Sequence, residues 1–387
     1  MGKLIGILIF LVSIQTIAQT ALYNSGNMRL HGNGQLGLHT HLINDGSFEQ
    51  NSGLAGFYGN APLTVSGAIP ITFNDIEIVL DSDLVLETAL GVANNLNFVV
   101  GDVITPRNSE IVFLDFKQDA FFTGEGDAAK VNGFAAISNK SFFSFPVGDT
   151  DQLRPLLLES NATNDLAICA YFFENPDNPT SLNASFDIEE SVRNIGFVSA
   201  TEFWVLRGSV SSQATISWNN RSNLGAIAND ISEIILVGWN IAANRWTIIG
   251  NSAISGDLNQ GFLVSETFVP NDYAALTFGA VPLPTDTFVV NNPTLGDYFL
   301  SPNGDGVNDA LVIEGMEESP NNSLRIFNRF GQIVFEQTNY VDEFVGVSNR
   351  DNFVINREIG LPEGIYFYVV TLDDLELEYQ GFLFLDR

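Results

Sequence analysis

Short apolar stretches separated by closely spaced turn residues run through almost the whole chain, and they constrain the fold more than any other feature. Typical stretches are Ile76–Leu80, Glu110–Leu114, Thr215–Trp218 and Ile365–Val370, which are rich in β-branched and aromatic residues. The 34 glycines and the frequent Asn-Gly, Asn-Asp and Gly-Asp pairs fall at spacings too short for helices. The sequence therefore predicts an all-β protein.

The first 18 residues have the organisation of a secretory signal peptide. Lys3 supplies a positive charge, Leu4–Val12 is apolar, and the segment ends on Ala18, a small residue suited to cleavage. The apolar part is shorter than the about 20 residues that a helix needs to span a bilayer. We therefore predict a signal peptide at residues 1–18 and export of the mature chain.

Three domains and a linker are predicted after the signal peptide. Residues 19–140 repeat a strand–turn–strand rhythm, which favours a β-helix-like domain, with a sandwich of short strands as the alternative. Residues 141–280 contain all four tryptophans, which we expect to fill the core of a β-sandwich. Residues 281–297 are punctuated by proline and predict an extended linker before the last domain, residues 298–387.

The charge of the chain excludes one class of partner. Its 46 acidic and 16 basic side chains give a net charge of −30, whereas nucleic-acid binding depends on Lys and Arg that neutralise phosphates. An anionic membrane surface is disfavoured for the same reason. The single cysteine, Cys169, excludes an intrachain disulfide, and its apolar neighbours predict a buried strand residue.

The last 90 residues carry an ordered series of motifs. The series opens with Phe299–Asp309, continues with Leu324–Gly331 and Ile333–Glu336, and closes with Leu361–Tyr368. Together these motifs resemble the gliding motility-associated C-terminal domain, the type B sorting domain of the bacterial type IX secretion system. The resemblance covers residues 298–387 and implies a small immunoglobulin-like β-sandwich. Residues 19–280 resemble uncharacterised bacterial surface proteins, a resemblance that implies no activity.

Two positions depart from the family pattern. Phe330 replaces the usual Trp after the Asn-Arg pair, and Phe344-Val345-Gly346 replaces a Trp-Asp-Gly. We interpret both as aromatic changes within the core, and the missing Asp leaves the hydrogen bonding of its turn open. Around the first position, Leu324–Phe327 and Ile333–Phe335 predict a hairpin.

The resemblance also implies a route and partners. Such a domain is the export address that the outer-membrane translocon of the type IX system reads after the signal peptide has delivered the chain to the periplasm. A dedicated outer-membrane partner of the PorP/SprF type is a further implied partner.

The loop that opens the last domain is a candidate calcium site. Side-chain oxygens of Asn303, Asp305 and Asp309, with the carbonyl of Val307, echo the alternate-residue spacing of calcium loops. The alternative is a purely structural turn, because Asn and Asp also hydrogen-bond their own backbone. Glu314 stands at the twelfth position of the loop, but in an apparent strand that begins at Leu311.

Catalytic patterns are scarce. His39 and His41 would point the same way from one strand, as a metal pair needs, but a polar ladder on a solenoid face is the preferred interpretation. No Gly-x-Ser-x-Gly, His-Glu-x-x-His or P-loop motif occurs. We therefore predict that the protein is not an enzyme and, calcium apart, needs no cofactor.

Three functions are considered. The leading prediction is a secreted or cell-surface structural or adhesive protein, with a surface glycan or another protein as its ligand. A glycan-active enzyme on the β-helix-like domain is the second. Against it, residues 21–139 contain few cations, namely Arg29, Arg107, Lys117 and Lys130. The third, a component of the gliding machinery, rests on the name of the family alone.

Overall fold

The computed structural model describes residues 20–192, 194–281, 298–313, 316, 319–350, 360–373 and 377–387. The predicted signal peptide and all but the first residue of the predicted linker lie outside them. The protein is 50% strand and 4% helix, which confirms the all-β prediction. In the described part of the chain, no helix has the length and apolar character needed to cross a membrane.

The strands are numbered in chain order. The first seventeen are β1 Ala21–Asn24, β2 Asn27–Met28, β3 Gln35–Leu38, β4 His41–Asn44, β5 Ser47–Phe48, β6 Leu54–Gly59, β7 Leu63–Ser66, β8 Ile71–Leu80, β9 Leu84–Leu86, β10 Leu90–Val100, β11 Val103–Ile104, β12 Leu114–Phe116, β13 Phe121–Thr123, β14 Val131–Asn132, β15 Ala135–Ile137, β16 Lys140–Phe145 and β17 Val147–Gly148.

The remaining strands are β18 Leu156–Asn164, β19 Ala167–Phe172, β20 Phe197–Val198, β21 Phe203–Arg207, β22 Ser212–Trp218, β23 Ile234–Asn240, β24 Arg245–Ile248, β25 Asn251–Gly256, β26 Gly261–Ser265, β27 Tyr273–Ala280, β28 Tyr298–Leu300, β29 Asn322–Phe327, β30 Ile333–Thr338, β31 Gly364–Leu372 and β32 Leu377–Leu385. Short 3₁₀ helices cover Asn220–Ser222, Leu224–Ala226, Ile231–Glu233 and Pro270–Asp272.

The described residues fall into two compact units. One comprises the chain up to Ser191 together with Val198–Gly279, and the other comprises Val192–Phe197 and Ala280–Arg387. Within the first unit, β15 pairs antiparallel with β19, so one sheet continues past residue 140. The predicted boundary between residues 140 and 141 stays a prediction.

The N-terminal part of the first unit is a β-solenoid. Its seven-stranded sheet, β1-β4-β7-β9-β11-β14-β17, is parallel throughout, because each strand pairs with the equivalent strand of the next coil. Leu42, Val65 and Leu86 share one position in successive coils and are fully buried. Burial of such a side chain stabilises the fold by about 1.5–3 kcal/mol, so the repeated apolar position holds the coils together.

A second long sheet lines another side of the coil. Its parallel part, β3-β6-β8-β10-β12-β15, stacks Phe57, Ile78 and Phe98 at one inward position, each at most 2% exposed. At a corner of the coil, the Nδ2 group of buried Asn24 donates to Oδ1 of buried Asn44 at 2.7 Å. This hydrogen bond satisfies amides that would otherwise be costly to bury.

After β15 the sheet continues in the order β19-β21-β27-β23-β24, and its pairs β15-β19, β19-β21, β21-β27 and β23-β24 are antiparallel. A five-stranded antiparallel sheet, β16-β18-β22-β26-β25, belongs to the same region. All four tryptophans are buried here, with at most 7% of each exposed, at Trp204, Trp218, Trp239 and Trp246. Their predicted role in the core is confirmed.

A buried ion pair lies within this region. The Nη2 group of Arg154 donates to both carboxylate oxygens of Glu202, at 2.8 and 2.9 Å, and to Oγ of Ser222 at 3.0 Å. The Tyr171 hydroxyl donates to the same carboxylate. Arg154 is 3% exposed and Glu202 is fully buried, and burial also raises the pKa of Tyr171. Both charges are therefore held out of water and neutralised by each other.

The C-terminal unit contains a five-stranded sheet in the order β28-β32-β31-β29-β30. The predicted hairpin is confirmed as β29 and β30, whose turn is closed by a hydrogen bond from Gly331 N–H to the Asn328 carbonyl. In β31 the even-numbered residues from Tyr366 to Leu372 are buried and pack into the core. Strand β32, which contains Gly381–Leu385, lies inside this sheet and not at its edge, because it pairs with β31 on one side and with β28 on the other.

Two predicted strands are wrong. Leu311–Ile313 is irregular, because its buried residues direct their backbone N–H groups to the Phe344 carbonyl and to Oδ1 of Asp342. Glu110–Leu114 is mostly a turn in which Ile111 is 80% exposed.

Candidate functional site

The loop after β28 carries the residues predicted to bind calcium. It leaves the sheet at Leu300 and rejoins the core at Leu311, and both of these side chains are buried. Between them, residues 303–308 are exposed. The loop is therefore an exposed segment fixed at both ends by apolar anchors.

Asn303 and Asp305 each hold the backbone two residues further along. Oδ1 of Asn303 accepts a hydrogen bond from the Asp305 N–H at 2.9 Å, and Oδ1 of Asp305 accepts one from the Val307 N–H at 2.8 Å. The Asn303 amide also donates to Oδ2 of Asp305 at 3.0 Å. The first half of the loop is thus two overlapping Asx-turns.

Asp309 holds the same loop from its other end. Its two carboxylate oxygens accept hydrogen bonds from the Gly304 and Gly306 N–H groups, both at 2.7 Å, and these bonds lower the pKa of the Asp309 carboxyl below its ordinary value. Gly304 and Gly306 have φ angles of +80° and +86°, which glycine adopts without steric cost. The motif therefore has a complete structural explanation in its backbone.

This arrangement leaves the calcium prediction open. Oxygens of Asn303, Asp305 and Asp309 are gathered in one loop, and a carboxylate or amide oxygen that accepts one hydrogen bond keeps a second lone pair. The Val307 carbonyl accepts only a long hydrogen bond, 3.5 Å, from the Ser301 hydroxyl. Calcium takes six to eight oxygen ligands, so water would have to complete the shell. Glu314 lies outside the described residues.

Calcium binding is tested by thermal unfolding. If Asn303, Asp305, Val307 and Asp309 are ligands, the melting temperature of the C-terminal unit should rise with calcium concentration, because binding to the folded state adds RT ln(1 + [L]/Kd). Asp305→Ala should abolish this rise, whereas Asp342→Ala, outside the loop, should keep it. Equal melting temperatures in chelator and in excess calcium would leave only the structural turn.

The sheet-containing part of the C-terminal unit is similar to a known family. Residues 295–385 match the CHU_C type IX secretion signal domain. The match spans about a quarter of the chain and confirms the sorting domain predicted from the motifs. It indicates export by the type IX secretion system, so the protein is secreted or attached to the cell surface. No curated protein and no solved structure matches the chain significantly.

The two unusual positions of the sorting domain differ in environment. Phe344 is fully buried against Phe335, at 4.8 Å between ring centroids, as a core residue should be. Phe330 is 73% exposed at the tip of the β29–β30 hairpin, beside the guanidinium group of Arg329. The interpretation of Phe330 as a core residue was therefore wrong, because a hairpin tip extends beyond the sheet and has no core to fill.

The turn that lacks the usual Asp is hydrogen-bonded in another way. The carbonyl of Gly346 accepts hydrogen bonds from Nη2 of Arg387 at 2.8 Å and from the Leu361 N–H at 2.9 Å. Gly346 has a φ of +74°, which favours glycine. The turn is thus fixed by a side chain from the far end of the domain.

The predicted histidine pair does not share a strand. His39 follows β3 and His41 begins β4, so a turn separates them and the two strands belong to different sheets. The His39 ring lies 5.6 Å from the ring of Tyr58, and Nδ1 of His41 accepts a hydrogen bond from the Thr64 N–H at 3.0 Å. The expectation that both rings point the same way was wrong, because the chain turns a corner of the solenoid between them.

Cys169 has the environment predicted for it. It is a free thiol, fully buried in β19, and burial raises its pKa well above the ordinary value. A thiol that stays protonated and has no access to solvent is a poor nucleophile. Its predicted position in a buried strand is confirmed.

Proposed function

We propose that the protein is a non-enzymatic structural or adhesive protein that acts outside the cell. The sorting domain would address it to the translocon of the type IX system, with a PorP/SprF-type outer-membrane protein as a further partner. The first unit would form the working part and bind a surface glycan or another protein.

The main support is that the four basic side chains of residues 21–139 already have hydrogen-bond or ion-pair partners within the protein. Each of them is held by an acceptor of its own unit: Arg29 by the Gln50 carbonyl, Arg107 by Asn132 and the Gly148 carbonyl, Lys117 by Asp115, and Lys130 by Asp102. A polysaccharide lyase needs a cation or metal that neutralises the substrate's acid beside a base. To act in this way, Lys117 and Lys130 would have to break their ion pairs, and Arg29 and Arg107 would have to break their hydrogen bonds to neutral oxygens.

Glu77, an acid on the outer face of the solenoid, also has hydrogen-bond partners within the chain. The Glu77 carboxylate accepts hydrogen bonds from the Tyr58 hydroxyl at 2.9 Å and from the Asn97 amide at 3.0 Å. A glycoside hydrolase holds two carboxyl groups about 5–10 Å apart, with one of them protonated. Glu77 is instead joined to neutral groups of the adjacent coils, as expected for a ladder that stabilises strand pairing.

A glycan screen tests the proposed role. The purified mature protein should release neither reducing ends nor unsaturated products from neutral and charged polysaccharides, even where it binds them. Glu77→Gln would be the matched variant, because it keeps the shape of the side chain. Reproducible turnover that is lost in this variant would contradict the proposal and favour a glycan-active enzyme.

A further inference from the structure

One face of the sorting-domain sheet is apolar although it points away from the core. The even-numbered residues of β31 pack inward, and the odd-numbered Ile365 and Phe367 point outward, 52% and 50% exposed. Neighbouring strands add further residues of the same kind. We call this surface the aromatic face, and it consists of Phe299, Phe327, Ile365, Phe367, Phe382 and Phe384.

The strand register places these residues side by side in two rows. Phe299, Phe384 and Ile365 are neighbours across β28, β32 and β31, and the rings of Phe299 and Phe384 lie nearly parallel at 6.0 Å. In the next row, Phe382 and Phe367 are paired across β32 and β31, with Phe327 beyond them on β29. The face is therefore continuous over four strands.

A concave surface adjoins the aromatic face. A cavity of ≈ 650 Å³ is lined by Ile365 and Phe367, by the exposed Phe330, and by Arg329, Pro362 and Glu363. A side chain of a partner could enter this cavity while its surroundings cover the flat rows. A cavity beside a flat apolar surface is suited to a protein partner that inserts one anchoring side chain, more so than a flat patch alone would be.

The aromatic face has a sharp polar limit. The row beyond Phe367 consists of Gln380, Val369 and Arg325, and Arg325 lies 3.5 Å from Glu336. No acidic residue belongs to the two apolar rows, although residues 298–387 carry 16 acidic side chains. A partner must therefore be apolar at its centre, with polar groups only around it.

The size of the face argues against self-association. A large apolar side chain offers roughly 150–250 Å² of surface, so the four residues that are 39–52% exposed, Phe299, Ile365, Phe367 and Phe382, present about 400 Å². A stable interface takes about 800 Å² from each partner, whereas transient contacts are smaller. A contact that is made during export and then released belongs to the smaller class.

We propose that the aromatic face is the surface through which the sorting domain docks on an apolar surface of a protein of the type IX export machinery. This inference rests on the proposed export role of the domain. It identifies the aromatic face as the surface of the domain that the export machinery recognises. Lipid and a second copy of the chain are the competing occupants. The small exposed area disfavours the second copy, and the net charge of −30 disfavours an anionic lipid surface.

The test is export of the full-length chain carrying Phe367→Thr and Phe382→Thr in a host with a type IX system. Threonine keeps the β-propensity of these outward positions, so the purified variant should melt as the wild type does. Loss of two central contact residues should lower the secreted fraction by about tenfold or more, with accumulation in the periplasm. If the double variant melts at a lower temperature, Ile365→Thr alone is measured in its place and should also reduce export.

Val341→Thr with Val345→Thr is the matched control. These residues are 67% and 44% exposed in the same domain but lie off the sheet. The control variant should therefore be exported at the wild-type level. If the aromatic-face variants are exported at the wild-type level while a chain lacking residues 298–387 is not exported, the docking inference is overturned and the export role stays intact. Export of the truncated chain at the wild-type level would overturn the export role itself.

Two measurements separate the competing occupants. The wild-type chain should not sediment with phosphatidylcholine vesicles, and it should be monomeric by sedimentation equilibrium. Vesicle binding or dimerisation that disappears in the Phe367→Thr, Phe382→Thr variant would assign the face to lipid or to a second copy and overturn the inference.

Discussion

Deletion of residues 298–387 is expected to cause a nearly complete loss of export, with the truncated protein retained in the periplasm. The reason is that the deletion removes most of the segment that matches the type IX secretion signal domain. The first unit has its own buried core, from Leu42 in the solenoid to Trp246 in the antiparallel region, so the retained protein should still be folded. Cell fractionation and intact-mass measurement follow the location and length of the chain.

A reporter fusion is the complementary control for this deletion. Residues 295–387, fused behind a signal peptide and a folded periplasmic reporter, should carry the reporter out of the cell. Recovery of the truncated protein from the medium or the cell surface at full-length levels would contradict the assignment of the export signal to this domain.

Glu202→Gln is expected to destabilise the first unit by about 3–5 kcal/mol, because it leaves the charge of Arg154 buried without a counter-ion. Arg154 is only 3% exposed, so water cannot replace the lost carboxylate. Urea unfolding followed by tryptophan fluorescence measures the effect. All four tryptophans lie in the first unit, so the signal does not report on the sorting domain.

A second ion pair of the same unit provides the matched control. Arg207 and Glu110 are joined at 2.8 Å, but their side chains remain 27% and 36% exposed. Glu110→Gln should therefore cost only about 1 kcal/mol or less. Replacing both buried partners, as in Arg154→Met with Glu202→Leu, should recover part of the lost stability. Equal effects of Glu202→Gln and Glu110→Gln would show that burial does not govern the strength of these pairs.

The sequence predicted the parts of the fold that depend on local, repeated patterns. The strand–turn–strand rhythm of residues 19–140 favoured a β-helix-like domain over a sandwich of short strands, and the pairing of Leu42 with Val65 shows that this rhythm corresponds to successive coils. Glu110–Leu114 has the composition of a strand, yet Ile111 is exposed and Glu110 binds Arg207, which lies 97 residues further along the chain. Composition could not reveal a turn whose position depends on such a distant partner.

The candidate sites show the same division. The loop at Asn303–Asp309 could be found because its side chains bond to residues only two to five positions away. The aromatic face was missed, because Phe299 joins Phe367 and Phe382 only when the remote strand β28 pairs with β32. One signal was present in the sequence: Ile365 and Phe367 made β31 apolar on both faces, although only one face of the sheet packs on the core.

The strand orders of the two units imply different sequences of assembly. In the solenoid, Val65 pairs with Leu42, only 23 residues earlier, so each coil can pair with the preceding coil without closing a long loop. In the sorting domain, Leu300 pairs with Leu385, and β32 occupies an inner place of the sheet. Contacts at such separation form late, since a long loop must close before they contribute. The solenoid can thus fold gradually from its N-terminal end. The sorting domain, in contrast, becomes recognisable to the export machinery only in a single late folding step.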